Sequence, residues 1–299
     1  MRIVLGFDGS EAAQVALQFI LHRAWPPATQ VAVVGAVAPV VDWDAMTPAS
    51  AGMPAVAGVH DLTARADDAA SALVLRGLEA SADVAIGDPA DRIADRAERW
   101  FADLIVVGNR RRGAFASAVF GSVATHLVDH APCPVLVARA ETASRMLIAA
   151  DGTSSSRDIP RLLDSWGPGF RGLPVEVLSV AVRDDAITPW VVGVERQEDL
   201  AEHERIAESV AAQLAALGWT AVPLARFGVP DRVIVEAAQE CRADLIVTGS
   251  RGIGTIQRLV AGSVAHDVLL HTRSSVLVMR GHVWAKLHHP ARVRAPALA

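Results

Sequence analysis

The stretch GSRGIGTIQRLVAGSVA (Gly249–Ala265) carries three glycines and a serine at the spacing G-x2-G-x9-G-S: Gly249, Gly252, Gly262 and Ser263. Immediately upstream, CRADLIVT (241–248) is largely apolar and predicts a buried strand. A glycine loop between a strand and a helix start is typical of a phosphate site, because glycine lets the backbone approach an anion and a helix N-terminus offers unpaired N–H groups. Arg251 lies in the same loop and could pair with a phosphate through two hydrogen bonds.

The chain contains this pattern twice. GNRRRGAFASAVFGSVATHLVDHAPCPVLVAR (Gly108–Arg139) aligns without a gap with GSRGIGTIQRLVAGSVAHDVLLHTRSSVLVMR (Gly249–Arg280). The two starts, RIVLGFDGS (Arg2–Ser10) and RMLIAADGT (Arg145–Thr153), match as well. A repeat of this length is a domain rather than a solenoid unit. We therefore expect two domains and a C-terminal tail outside the folded body, at residues 1–140, 145–280 and 281–299.

Each copy alternates short apolar strands with helices. In copy one the pattern predicts strands at Arg2–Phe7, Gln30–Ala38, Ala82–Ile86, Leu104–Val107 and Val135–Ala138. It predicts helices at Glu11–Arg23, Asp61–Ala80 and Pro89–Trp100 and one from Ser122, and in copy two a long helix at Glu195–Leu217. Apolar strands that alternate with helices indicate a parallel sheet covered on both faces. The predicted class is α/β, with two tandem Rossmann-like domains, each with a five-stranded parallel sheet flanked by helices.

Composition excludes several classes of function. A formal net charge of −5 and a pI near 6.0 argue against a nucleic-acid partner, which selects clustered basic residues. No apolar run approaches the ~20 residues that a membrane-spanning helix needs. Two cysteines make no disulfide framework, so we expect a cytoplasmic location. Lys286 is the only lysine of the chain, which excludes a Walker A loop.

The G-x2-G-x9-G-S spacing after a fourth strand resembles that of the universal stress protein family, and the duplication resembles its tandem two-domain actinobacterial type. The resemblance extends to about Arg280. It implies the adenine nucleotide α-hydrolase-like form of the fold and ATP as the ligand, with Mg²⁺ as a possible companion. It further implies a nucleotide-responsive regulator in stress adaptation, a homodimer, an unidentified regulatory protein partner, and last strands that pair between domains or subunits.

The resemblance also assigns site residues. It implies an Asp at the end of the first strand beside ribose and phosphates, matched by Asp8 and Asp151. It implies a residue at the end of the second strand that contacts adenine through its backbone, matched by Val37 and Val180. In copy two the phosphate loop comprises Gly249, Arg251, Gly252, Gly262 and Ser263. In copy one the corresponding residues are Gly108, Arg110, Arg111, Gly113, Gly121 and Ser122.

Copy one departs from the family pattern at Arg111, which stands where the second glycine is expected. On one interpretation its side chain closes the loop and leaves copy one empty. On the other it turns outward or contacts a phosphate, and Gly113 supplies the lost backbone freedom. We favour binding, because the other positions of the pattern are retained: Asp8, Gly108, Gly121 and Ser122.

The sequence offers no convincing catalytic set or metal site. Ser10 follows Asp8-Gly9 but is better explained as the N-cap of the helix that begins at Glu11. His126 and His130 share a helix face without a Cys or carboxylate at zinc-ligand spacing. We therefore expect a binding protein with at most weak ATPase activity. Two alternatives remain: an enzyme that hydrolyses ATP or transfers a nucleotidyl group, and an interaction scaffold whose first site is vestigial.

Overall fold

A computed structural model of the chain describes residues 1–38, 53–109, 121–182, 194–250 and 263–280. The described residues form two compact units, which separate between Glu141 and Thr142. Both units are α/β, with alternating strands and helices and parallel strand pairing, which confirms the predicted fold class. The predicted tail, residues 281–299, lies outside the described residues.

Unit 1 alternates strands and helices in the order β1 Arg2–Gly6, α1 Glu11–Leu21, β2 Gln30–Val37, α2 Met53–Leu75, β3 Glu79–Ile86, α3 Pro89–Arg99, β4 Leu104–Gly108, α4 Ser122–His130 and β5 Val135–Ala138. The strands lie in the order β3-β2-β1-β4-β5, all parallel. The strand order reverses between β1 and β4, and in open α/β sheets such a reversal leaves a crevice at the carboxyl ends of the strands.

Unit 2 repeats the arrangement with β6 Met146–Ala149, α5 Ser154–Ser165, β7 Val175–Val182, α6 Val194–Ala216, β8 Ala221–Gly228, α7 Pro230–Glu240, β9 Leu245–Ser250, α8 Ser263–His271 and β10 Ser275–Arg280. Its strands lie in the order β10-β9-β6-β7-β8, again parallel. Its crevice therefore lies between β6 and β9.

The central strands are apolar because helices cover both faces of the sheet. Ile3, Val4 and Leu5 in β1 are fully buried, as expected for strands of a parallel sheet. An aspartate before the fourth strand fixes the start of the first strand in each unit. The Asp103 carboxylate accepts a hydrogen bond from the Arg2 N–H at 2.7 Å, and Asp244 accepts one from the Arg145 N–H at 3.0 Å.

Three predicted boundaries in copy one are wrong. The helix predicted at Asp61–Ala80 begins at Met53 and ends at Leu75, and the strand predicted at Ala82–Ile86 begins at Glu79. Gly77 is the physical reason for the helix end and the strand start: its φ of +84° is left-handed, so the chain turns there and the Leu78 N–H bonds back to the Leu73 carbonyl at 3.2 Å. The chain then pairs with β2 at once, with Glu79 opposite Gln30.

The helix starts follow the predicted chemistry. The Ser10 Oγ accepts a hydrogen bond from the Ala13 N–H at 3.3 Å, which confirms Ser10 as the N-cap of α1. Pro89 and Pro230 open α3 and α7, where a proline loses no helical hydrogen bond. Both helix starts stand at the carboxyl edge of the sheet and border the crevice of their unit.

Candidate functional site

A cavity of about 320 Å³ lies in the crevice of unit 1. Its walls come from the ends of β1, β2 and β4 and from the N-terminal residues of α1, α3 and α4. Four predicted site residues line it together: Asp8, Gly108, Gly121 and Ser122. The fold thus brings the Asp-Gly-Ser turn and the glycine-serine helix start, which are far apart in sequence, to one cavity.

A tight turn holds the acidic side chain at the end of β1. The Asp8 Oδ1 accepts a hydrogen bond from the Ser10 N–H at 3.0 Å, and Gly9 between them has a left-handed φ of +73°. Unit 2 repeats this geometry, since Asp151 Oδ1 accepts from the Thr153 N–H at 3.1 Å and from its hydroxyl at 2.6 Å. Each carboxylate is therefore fixed at the carboxyl end of its first strand.

The first turn of α4 forms another wall of the cavity. Gly121 has extended backbone angles and no side chain caps the helix, so backbone N–H groups are left for a ligand or water. Ser122, Val123 and Ala124 continue the same wall. A helix start of this kind attracts anions through its N–H groups and its dipole.

Gly108 is required by packing as well as by the predicted role. A Cβ atom on Gly108 would lie 2.0 Å from the Ala12 carbonyl oxygen, so no side chain fits between β4 and α1. Gly249, the equivalent residue of unit 2, is less constrained, because its nearest contact would be the Ser155 Cβ at 3.3 Å. Close helix packing therefore accounts for the first glycine of the unit 1 loop without any ligand.

The register of the second strand corrects the expected equivalence of Val37 and Val180. Val37 pairs with Ile86, whereas Val180 pairs with Arg226 and Ala181 pairs with Phe227. Because Ile86 and Phe227 occupy the same place in the two repeats, Ala181 is the counterpart of Val37, and Ala36 is the counterpart of Val180. The cavity lining agrees: it includes Ala36 in unit 1 and Val180 in unit 2, and Val37 is not among the described lining residues. The Val37 carbonyl accepts a hydrogen bond from the Gly87 N–H at 3.0 Å.

Unit 2 has a smaller cavity, of about 70 Å³, in the same place. Asp151, Val180 and Gly249 meet there. The remaining predicted loop residues lie outside the described residues: Arg110, Arg111, Gly113, Arg251, Gly252 and Gly262. Ser263 begins α8, and its side chain is likewise not described.

The sequence did not single out the side of each cavity that comes from the third helix of the unit. Pro89 and Ile93 line the first cavity, and Pro230 and Ile234 line the second. The recurring Gly-x-Pro before these helices, at Gly87 and Gly228, was the signal available. Pro89 and Ile93 in unit 1, and Pro230 and Ile234 in unit 2, add apolar surface to the cavity of their unit.

Other reactive side chains in the described part of the chain do not form a second centre. His126 stacks on His130 at 4.5 Å between ring centroids, and its Nε2 lies 3.6 Å from Asp91. No group of three or more His, Cys, Asp or Glu able to hold a metal occurs among the described residues. Ser179 Oγ lies 2.7 Å from His203 Nδ1, but Ser179 is fully buried, so this hydrogen bond is part of the packing of unit 2.

Comparison with known proteins identifies the repeat. The family model described as "Universal stress protein family" matches residues 1–139 and 144–280. A universal stress protein of Mycobacterium tuberculosis is 28% identical over 93% of this chain and 96% of its own length. Another from the same species is 32% identical over 60% of this chain, and the match spans 62% of that protein's length.

The fold comparison agrees with the sequence comparison. The crystal structure of a universal stress protein from Archaeoglobus fulgidus superimposes with a TM-score of 0.66 at 18% identity, covering 94% of this chain and 98% of that one. At this identity the likeness concerns the fold alone. Within the described part of the chain, every helix is too short or too polar to cross a bilayer.

Proposed function

The chain belongs to the universal stress protein family, and on that premise we propose that it is a nucleotide-responsive regulatory protein that binds ATP in the cavity of unit 1. The observation that carries the proposal is the convergence of the fixed Asp8 carboxylate and the uncapped start of α4 on one cavity. A volume of about 320 Å³ falls within the usual range of small-molecule pockets.

The described residues suit the parts of a nucleotide. The Asp8 carboxylate can accept hydrogen bonds from ribose hydroxyls, and the first turn of α4 can donate backbone N–H groups to phosphate oxygens. Val34 and Ile93 provide apolar surface for a base. Mg²⁺ would arrive with the phosphates and lower their charge, because the described lining offers one carboxylate and no metal cage.

We propose binding rather than rapid hydrolysis. Asp8 is the only titratable side chain among the described residues that line the first cavity, and it already accepts a hydrogen bond from Ser10. A second group to activate water is absent from that described lining, and general-base catalysis needs one within hydrogen-bond reach of the attacking water. The regulatory role, the cytoplasmic location, the homodimer and the protein partner remain parts of the proposal.

Calorimetric titration with ATP tests the proposal. Ser122→Glu adds a negative charge at the start of α4, which favours the helix dipole but repels phosphate. We expect saturable ATP binding by the wild type and at least roughly tenfold weaker binding by this variant. Ser71→Glu, on an exposed position of α2, adds the same charge away from the cavity and should bind as the wild type does. A wild type that binds no adenine nucleotide would refute the proposal.

A further inference from the structure

The two cavities differ in the wall that the second strand of each unit provides. We propose that only the first cavity admits the base and ribose of an adenine nucleotide, and that Leu178 and Val180 close the second cavity to them. This inference rests on the proposed function, since it assigns the proposed ligand to one of the two sites. It follows from the strand register and from the sizes of equivalent side chains.

The hydrogen-bond register fixes which residues are equivalent. The Phe7 N–H donates to the Val34 carbonyl at 2.9 Å, and the Ala150 N–H donates to the Leu178 carbonyl at 2.8 Å. Phe7 and Ala150 are equivalent because each directly precedes the aspartate of its turn. Val34 therefore corresponds to Leu178.

The same register makes Ala36 the counterpart of Val180, two residues further along each strand. Side chains two residues apart in a strand point to the same face. All four residues accordingly line their cavities, Val34 and Ala36 the first, Leu178 and Val180 the second. The side chains compared between the two walls therefore occupy equivalent positions.

Unit 2 carries the larger side chain at both positions. Leucine exceeds valine by one carbon, and valine exceeds alanine by two, so this wall of the second cavity gains three carbons. Leu178 is fully buried, which leaves it little room to move aside. The added atoms therefore take space from the cavity rather than from solvent.

A third difference also makes the second cavity smaller: the first strand ends in glycine in unit 1 and in alanine in unit 2. In unit 1 the Ile93 Cδ1 lies 2.6 Å from where a Cβ atom on Gly6 would stand, so Ile93 fills the space that the glycine leaves. Unit 2 has Ala149 at this position, and its methyl group excludes an isoleucine placed as Ile93 is. Ile234, the counterpart of Ile93, lines the second cavity and lacks the space beside the strand that Gly6 gives Ile93.

One difference between the two linings favours a larger second cavity instead. Phe7 lines the first cavity where the second has the smaller Ala150. The volumes give the net result: about 320 Å³ in unit 1 and about 70 Å³ in unit 2. Small-molecule pockets usually measure roughly 300–1,000 Å³, so the first cavity meets that size and the second does not.

Reciprocal exchange of the wall residues tests the inference by equilibrium titration with ATP. The wild type should bind one ATP per chain. Leu178→Val with Val180→Ala gives unit 2 the unit 1 wall and should raise the stoichiometry to two. Val34→Leu with Ala36→Val should weaken the original site roughly 10- to 200-fold, the range for added carbons in an apolar pocket. Val74→Leu enlarges an exposed residue of α2 that is not among the described cavity lining, and it should change neither the stoichiometry nor the affinity.

Each outcome has a distinct meaning, provided that thermal melting shows each variant to be folded. Two wild-type sites of similar affinity would overturn the inference and leave the proposed function intact. A stoichiometry that stays at one in the Leu178→Val, Val180→Ala variant would also overturn it. Unchanged binding in the Val34→Leu, Ala36→Val variant would do the same. No binding by the wild type would instead refute the proposed function itself.

Discussion

The Ala12 carbonyl oxygen lies 2.0 Å from the point where a Cβ atom on Gly108 would stand, so α1 rests directly on the backbone of β4. We predict that Gly108→Ala destabilises unit 1 by about 2 kcal/mol or more, since β4 and α1 would have to separate. Urea unfolding measures the loss. Gly249→Ala is the matched control, because its nearest contact would be Ser155 Cβ at 3.3 Å. Equal losses in the two variants would contradict this packing.

The starts of α3 and α7 differ in their caps. Asp88 Oδ1 accepts hydrogen bonds from the Ala90 N–H at 2.8 Å and the Asp91 N–H at 3.1 Å, whereas its counterpart Val229 makes no side-chain cap bond. We predict that Asp88→Ala costs about 1 kcal/mol and that Val229→Asp stabilises by about 0.5–1 kcal/mol. Urea unfolding of both variants checks the two signs, and a destabilised Val229→Asp would contradict the reasoning.

The hydrogen bond between Ser179 and His203 in unit 2 replaces an apolar contact between Gly35 and Leu62 in unit 1. His203→Leu leaves a fully buried hydroxyl without its partner, which we predict to cost about 1–3 kcal/mol. Adding Ser179→Ala removes that hydroxyl and should recover most of the loss. A double-mutant cycle measured by urea unfolding tests this, and additive losses would exclude coupling between the two side chains.

Burial raises the pKa of the Cys241 thiol above its ordinary value. The raised pKa means that the folded state holds this proton where the unfolded state has begun to lose it. The thiol's contribution to stability is therefore complete below the unfolded pKa and is lost as the pH rises through the folded one.

We predict from this shift that Cys241 reacts with iodoacetamide several-fold more slowly in the folded protein than in urea at the same alkaline pH. Mass spectrometry of the alkylated peptide measures the rate. Cys133, which is 1% exposed, should react only when the chain unfolds. Equal alkylation rates of Cys241 in the folded and the unfolded protein would contradict the raised pKa.

The sequence predicted the architecture well because the duplication reports the same pattern twice. Alternation of apolar strands and helices depends on local periodicity, and the strand β5 was predicted at its observed bounds, Val135–Ala138. The ends of helices and strands were less predictable where a single glycine determines them. Gly77 ends a helix only because its φ is left-handed, and the residues around it suit either state.

The site was predictable only in part. Asp8 and Gly121 could be placed at one cavity because both follow or begin an element at the carboxyl edge of the sheet. The residue of β2 that faces the cavity was not predictable, because a shift of one residue moves a side chain to the other face of the sheet. The cavity lining resolves that choice: Ala36 is part of it, and Val37 is not among its described residues. The size of each cavity depends on which side chains of the second strand face it. The sequence alone therefore did not predict that the second cavity is the smaller one.

The central claim is that this chain holds an adenine nucleotide, and the nucleotide content of the purified protein tests it most directly. The protein is incubated with ATP, freed of unbound ligand and denatured, and the adenine nucleotide in the supernatant is counted per chain. The account predicts close to one per chain in the wild type and much less in Ser122→Glu. A folded wild type that retains no adenine nucleotide and shows no saturable uptake of ATP would contradict it.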